Sequence, residues 1–171
     1  MTVARRRLLV REARPADVAA VGAALREYLV QTEAEKAEQG VGVRLPPSGE
    51  LPARYREEVE DPAAALAGRP TLVAELDRTV VGVVVLEPHD GSVEIKRLWA
   101  APEVRGRGVG SALLDAAIAA AGPVPVTLTV WEWRTGVVRM YESRGFVRVA
   151  SWDERPRLVC MRREGPRAGP A

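Results

Sequence analysis

The chain has one cysteine, Cys160, and one histidine, His89. A lone cysteine excludes an intrachain disulfide and fits a reducing compartment, so a cytoplasmic location is expected. One thiol and one imidazole cannot supply the usual ligand set of a zinc site, so no metal centre is expected. Cys160 sits in an apolar, strand-like context and reads as buried and structural rather than nucleophilic. Lysine is confined to Lys36 and Lys96, and the net charge is only +2. That balance is too small to imply nucleic acid or an anionic membrane as partner. No arginine-rich run is interleaved with the aromatics that base stacking needs. No apolar run reaches the length of a membrane-spanning helix. Arg5-Arg6-Arg7 stand before Leu8-Leu9-Val10, but the apolar part stops at Arg11, so a signal peptide is not indicated.

What is present is enough for one domain. The 171 residues are 47% hydrophobic and 28% charged, ordinary for a globular protein with a core. Residues 7–13 read as a strand. Pro15 opens a helix running toward Gln39, with Val18, Val21, Leu25, Tyr28 and Leu29 on one face. A glycine- and proline-rich loop follows over 40–52, then a short helix over 53–60. Residues 71–76 and 80–86 form a hairpin about Asp77-Arg78-Thr79. A strand over 93–100, a helix over 109–121 and a strand over 124–131 come next. A helix over 135–144 and strands near 146–150 and 158–161 complete the pattern. The order implies an α/β (mixed α+β) fold, a twisted mixed sheet with helices on both faces. The domain is expected to span 1–164, with 165–171 a disordered tail.

The stretch 93–121 organises the rest. Its loop, Arg105-Gly106-Arg107-Gly108-Val109-Gly110-Ser111, is suited to an anion. Glycines let successive backbone N–H groups face one guest, and the following helix presents unpaired N–H groups and the positive end of its dipole. A phosphate or pyrophosphate satisfies both. The P-loop ending Gly-Lys-Ser/Thr is missing. The dinucleotide fingerprint fails at its third glycine, which falls on Leu113 or Ser111 depending on the start. Glu132 closes a later strand, so that rival is weakened rather than removed.

The loop resembles the acetyl-CoA loop of the GNAT superfamily of N-acetyltransferases. Its pattern Q/R-x-x-G-x-G/A is matched by Arg105, Gly108 and Gly110. The lead-in Arg97-Leu98-Trp99-Ala100-Ala101-Pro102 is similar to the family's R-L-Y-V-x-P strand. Tyr141, Gly145 and Phe146 match its Tyr-x-x-x-Gly-Phe motif. The resemblance covers most of the chain, is most specific over 93–146 and weakest over 30–70. It implies a single-domain GNAT-like fold and an acetyl-CoA-dependent N-acetyltransferase that transfers directly to a primary amine. A catalytically silent acyl-CoA sensor is the alternative.

The resemblance assigns residues as follows. Arg105, Gly106, Arg107, Gly108, Val109, Gly110 and Ser111 would bind the cofactor's pyrophosphate. Leu98, Trp99 and Ala100 would pair with its pantetheine arm, as well as packing in the core. Tyr141 would protonate the departing thiolate; an ordinary core tyrosine on an amphipathic helix is the other reading. Glu94 is the candidate base, against a plain Glu94–Lys96 surface pair, and Glu132 is second. Arg134 stands where the family often has asparagine, seven residues before the tyrosine. Arginine accepts no hydrogen bond, so Arg134 would contact CoA oxygens or lie in solvent at a helix start. The partner is a small-molecule or peptide amine, touched by 30–70, Trp131, Trp133 and 150–157. A homodimer is compatible.

Overall fold

The structure is a computed structural model that describes residues 7–166. The elements are β1 (Leu8–Glu12), α1 (Val18–Glu38), α2 (Arg56–Glu60), α3 (Pro62–Ala65), β2 (Thr71–Leu76), β3 (Thr79–His89) and β4 (Ser92–Ala100). They continue as α4 (Val109–Ala121), β5 (Val126–Trp131), α5 (Thr135–Glu142), β6 (Val147–Val149) and β7 (Leu158–Arg163). The single-domain α/β expectation holds, with differences at element ends. Pro62 begins a further short helix beyond the one expected over 53–60: it stands at N1, with the Asp61 side chain accepting from the Ala64 N–H. Asp77 and Arg78 both take positive φ, so the hairpin turn has two residues and β3 starts at Thr79. Residues 165 and 166 belong to no element, and Gly165 lies against Pro123. Of the disordered tail expected over 165–171, the part from 167 onward falls outside the described residues. Among those described, no helix is long and apolar enough to cross a membrane.

The seven strands form one sheet in the order β1-β2-β3-β4-β5-β7-β6. Every pair is antiparallel except β4 with β5. Helix α1 packs on β3 and β4, with α2 and α3 packed against it, and α4 lies across β1 to β4. Gly82 lets α4 come close. A Cβ there would stand 2.9 Å from both Leu113 Cδ1 and the Trp99 carbonyl oxygen, and 3.3 Å from Val109 Cγ1. The core is aliphatic: Val73, Val83, Val84, Leu113, Leu114 and Met161 are fully enclosed.

Two irregularities in β4 set up the site. The first is its pairing with β5, which runs only from Val93↔Val126 to Ile95↔Leu128. Beyond that point β4 continues to Ala100 on β3, while β5 continues to Trp131 on β7. The two strands splay, and β4 presents an unpaired edge from Lys96 onward. The second is a β-bulge. Val83 faces Trp99 and Val85 faces Lys96, so two residues of β4 stand against one of β3. Arg97 absorbs the extra residue with φ of 52°. A non-glycine residue there costs on the order of 1–3 kcal/mol. A bidentate bond to Glu58, at 2.8 and 2.6 Å, holds it.

Candidate active site

A cleft of about 670 Å³ occupies the splay. Its floor is the free edge of β4 at Leu98, Trp99 and Ala100, and one end is the glycine loop before α4. The loop turns left-handed at Gly106 (φ 74°) and Gly108 (φ 80°), and Gly108 caps α4. The first α4 bond is from the Ala112 N–H to the Gly108 carbonyl, at 2.9 Å. The N–H groups of Val109, Gly110 and Ser111 precede that bond, so they face out at the positive end of the helix. Two other loop amides are turned inward: Arg105 N–H bonds to Pro102 and Arg107 N–H to Val104. The anion seat is therefore narrower than the whole 105–111 stretch. Arg107 is exposed and does not line the cleft, whereas Arg105, Gly106, Gly108, Val109, Gly110 and Ser111 do.

Arg105 closes the mouth of the cleft. Its Nε donates to the Ala100 carbonyl at 3.0 Å and its Nη2 to Gln31 Oε1 at 2.7 Å. Arg134, at the start of α5, is neither solvated nor free. Its Nε donates to Glu35 at 2.7 Å and its Nη2 to Thr32 at 2.8 Å. Trp133 Nε1 also donates to Glu35, at 3.0 Å. Burial works against the charge on Glu35, but bonds from Trp133, Gln31 and Arg134 outweigh it and hold the carboxyl below its ordinary range.

A smaller space opens beside this cleft, between α1, β4, β5 and the loop carrying Arg155. Tyr28, Leu98, Arg134 and Val137 line both spaces, and Tyr141 lines the inner one. Tyr141 is 5% exposed, with its ring tilted against Phe146 at 5.7 Å. Burial raises its pKa above the ordinary tyrosine range; Tyr28 adds to the shift and Arg134 opposes it.

The expected carboxylates stand elsewhere. Glu94 lies where β4 still pairs with β5 and lines neither space. It meets His89 Nε2 at 3.1 Å and Lys96 Nζ at 3.1 Å. The same-face alternation of Glu94 and Lys96 holds, and it produces the ion pair. Glu87, His89 and Glu94 cluster there, but the Lys96 ammonium already lies between the two carboxylates. Glu132 is bonded by Arg157 and also lines neither space.

Sequence reasoning missed the contribution of α1. Tyr28, placed in the core by periodicity, faces the site, as do Gln31 and Glu35. The available signal was spacing: Tyr28, Gln31, Thr32 and Glu35 form an i, i+3, i+4, i+7 stripe beside the apolar one.

A splayed mixed sheet, with a glycine loop and a helix start at one end of the cleft and a buried phenol beside it, is suited to an extended ligand with an anionic head. Residues 33–146 match the acetyltransferase (GNAT) family, and the chain belongs to that family. No curated protein sequence matches it. Solved structures share the fold. One is described as histone acetyltransferase HPA2 and related acetyltransferase from Corynebacterium glutamicum: 21% identity, TM-score 0.69, covering 95% of this chain and 98% of that one. Another is yncA, a putative acetyltransferase from Salmonella typhimurium with its cofactor acetyl-CoA: 20% identity, TM-score 0.67, covering 95% and 96%. A third is paia N-acetyltransferase from Thermoplasma acidophilum in complex with coenzyme A: 19% identity, TM-score 0.64, covering 92% and 99%.

Proposed function

We propose that this chain is an acetyl-CoA-dependent N-acetyltransferase acting on a primary amine by direct transfer. One observation carries the reading. The glycine cradle and Tyr141 open onto adjoining spaces that share Tyr28, Leu98, Arg134 and Val137. A carrier seated by its diphosphate at one end thus has its reactive end directed to the other.

The residues present fit such a carrier. The amides of Val109 to Ser111 and the α4 dipole suit a diphosphate. The free edge of β4 at Leu98–Ala100 suits the amides of an extended arm, which would add to it as a further strand. Acetyl-CoA supplies a thioester: the amine nitrogen bonds to its carbonyl carbon and the carbon–sulfur bond breaks. Tyr141 would hold a proton at its Oη for the departing sulfur, and the proton lost by the attacking nitrogen would restore the phenol. A phenol is ordinarily a weaker acid than a thiol by about 1.5 pKa units, roughly 2 kcal/mol. Burial penalises a naked thiolate as it penalises phenolate, so enclosure does not widen that gap. Stacked Trp131 and Trp133, 4.9 Å apart, help keep the transfer dry.

Free-thiol release over an amine panel, with single turnovers of wild type and Tyr141→Phe, tests the reading. A general acid contributes about 10²–10⁴-fold, so the substitution lowers kcat by about 10²-fold or more and leaves the KM for acetyl-CoA within about threefold. An unchanged kcat removes Tyr141 from the chemistry. Binding of acetyl-CoA without thiol release for any amine favours the silent sensor, whose one support is that neither Glu94 nor Glu132 lines the site.

A further inference from the structure

The inner space is about 110 Å³ and its wall is of one charge sign. Lys36, Lys96, Arg97, Arg134 and Arg155 line it; among the described residues no aspartate or glutamate does. Each cation is paired with a carboxylate whose residue does not line the space. Glu33 holds Lys36 at 2.8 Å, Glu58 holds Arg97 at 2.6 Å, and Glu35 holds Arg134 at 2.7 Å. Asp153 holds Arg155 at 2.7 Å, and Glu94 holds Lys96 at 3.1 Å. The wall thus carries the cations of five ion pairs whose carboxylates belong to residues that do not line the space. An anion in the space would meet the cations of these pairs first.

The donors are not used up. Arg97 and Arg155 bind their carboxylates through Nε and Nη2, whereas Arg134 is engaged with Glu35, Thr32 and Tyr28. A guanidinium carries five N–H groups, so the Nη1 hydrogens of Arg97 and Arg155 remain beyond those bonds. Pairing also fixes the fork geometry, so little rotamer freedom is lost when an oxyanion arrives. Trp131, with Lys36 and Arg155 each 5.9 Å from its ring centre, gives one side of the space a flat apolar surface.

Resting on the acetyltransferase reading above, we propose that the acceptor is a small primary amine that itself bears an oxyanion, an amino acid or an aminophosphonate. The oxyanion sits among Arg97, Arg155 and Lys36, and the amine points through the gap between Leu98 and Arg134. The wall also addresses the amine's proton. An alkylammonium near several cations gives up its proton more readily than in water; that proton passes to solvent in the open cleft, and the second proton of the nitrogen, released as the amide forms, restores the Tyr141 phenol, so neither Glu94 nor Glu132 is needed. The oxyanion supplies the attraction that a bare ammonium would lack.

The test uses the full chain with acetyl-CoA and free-thiol release. The acceptors are L-amino acids each paired with its primary amide, and 2-aminoethylphosphonate paired with ethylamine. The oxyanion-bearing member of at least one pair is expected to exceed its neutral partner about 30-fold in kcat/KM. Arg155→Gln, in a half-exposed loop side chain, should raise the KM for that acceptor about tenfold and leave the KM for acetyl-CoA within twofold. Thermal shift with the same acceptors in the presence of CoA reads binding without turnover, and should show a rise in wild type that Arg155→Gln abolishes. Turnover of the neutral partners at equal or higher efficiency overturns the inference and leaves acetyl transfer standing. So does the absence of both turnover and thermal shift for every oxyanion-bearing amine while acetyl-CoA binds. Failure of acetyl-CoA to bind at all sinks the underlying reading instead.

Discussion

The phenol of Tyr141 titrates above the ordinary tyrosine range because it is buried, so it stays protonated wherever the fold is active. Any basic limb in the rate profile therefore belongs to another group. Glu94 makes the opposite case. Its carboxylate is bonded to His89 and Lys96 on the paired part of β4 and lines neither space. Glu94→Gln is expected to leave kcat within about threefold of wild type at pH 7–8, in contrast to Tyr141→Phe. A fall of about 10²-fold, with the KM for acetyl-CoA unchanged, would return Glu94 to the chemistry. The two residues were named together from one resemblance. Tyr141 belongs to a short local motif whose helix places it, while the surroundings of Glu94 come from His89 across a turn and from a pairing that ends one residue later.

At the scale of elements, the site depends on how α4, β3 and β4 are fitted together. The loop, the helix and the Leu98–Ala100 strand were legible because glycine chemistry, capping and strand alternation are local signals. The splay and the bulge were not, since both are properties of pairing between strands. Arg97 looked like part of a lead-in motif, yet its positive φ depends on Glu58, thirty-nine residues earlier in the chain. Gly82 likewise gave no signal, although it decides how near Val109 comes to the sheet. Gly82→Ala forces a Cβ to 2.9 Å from a backbone oxygen and a leucine methyl. Overpacking of this kind costs about 1–3 kcal/mol. Urea unfolding should show that loss, and CoA titration should show weaker binding, because the start of α4 must move. Wild-type stability in Gly82→Ala would mean that α4 is seated differently.

At the scale of the whole molecule, the fold brings α1 and the start of α5 to one place. Arg134 and Trp133 reach Glu35 and Thr32 across about a hundred residues. Helix α1 thereby roofs a cleft whose floor and anion seat come from 98–111. That long-range pairing is why the half of the site on 98–111 and 141 could be read from motifs, while Tyr28, Gln31 and Glu35 could not. The cationic wall is of the same kind: Lys36, Arg97 and Arg155 meet only in the folded chain.

The account rests on backbone amides at the start of α4 gripping a diphosphate. Calorimetric titration with CoA and with pantetheine, which has the same arm but no diphosphate, measures this directly. Charge-assisted hydrogen bonds are each worth about 1.5–3 kcal/mol, so losing two predicts CoA binding at least about 100-fold tighter than pantetheine. Equal affinities for the two, or no heat from CoA at concentrations that saturate the cleft, would contradict it.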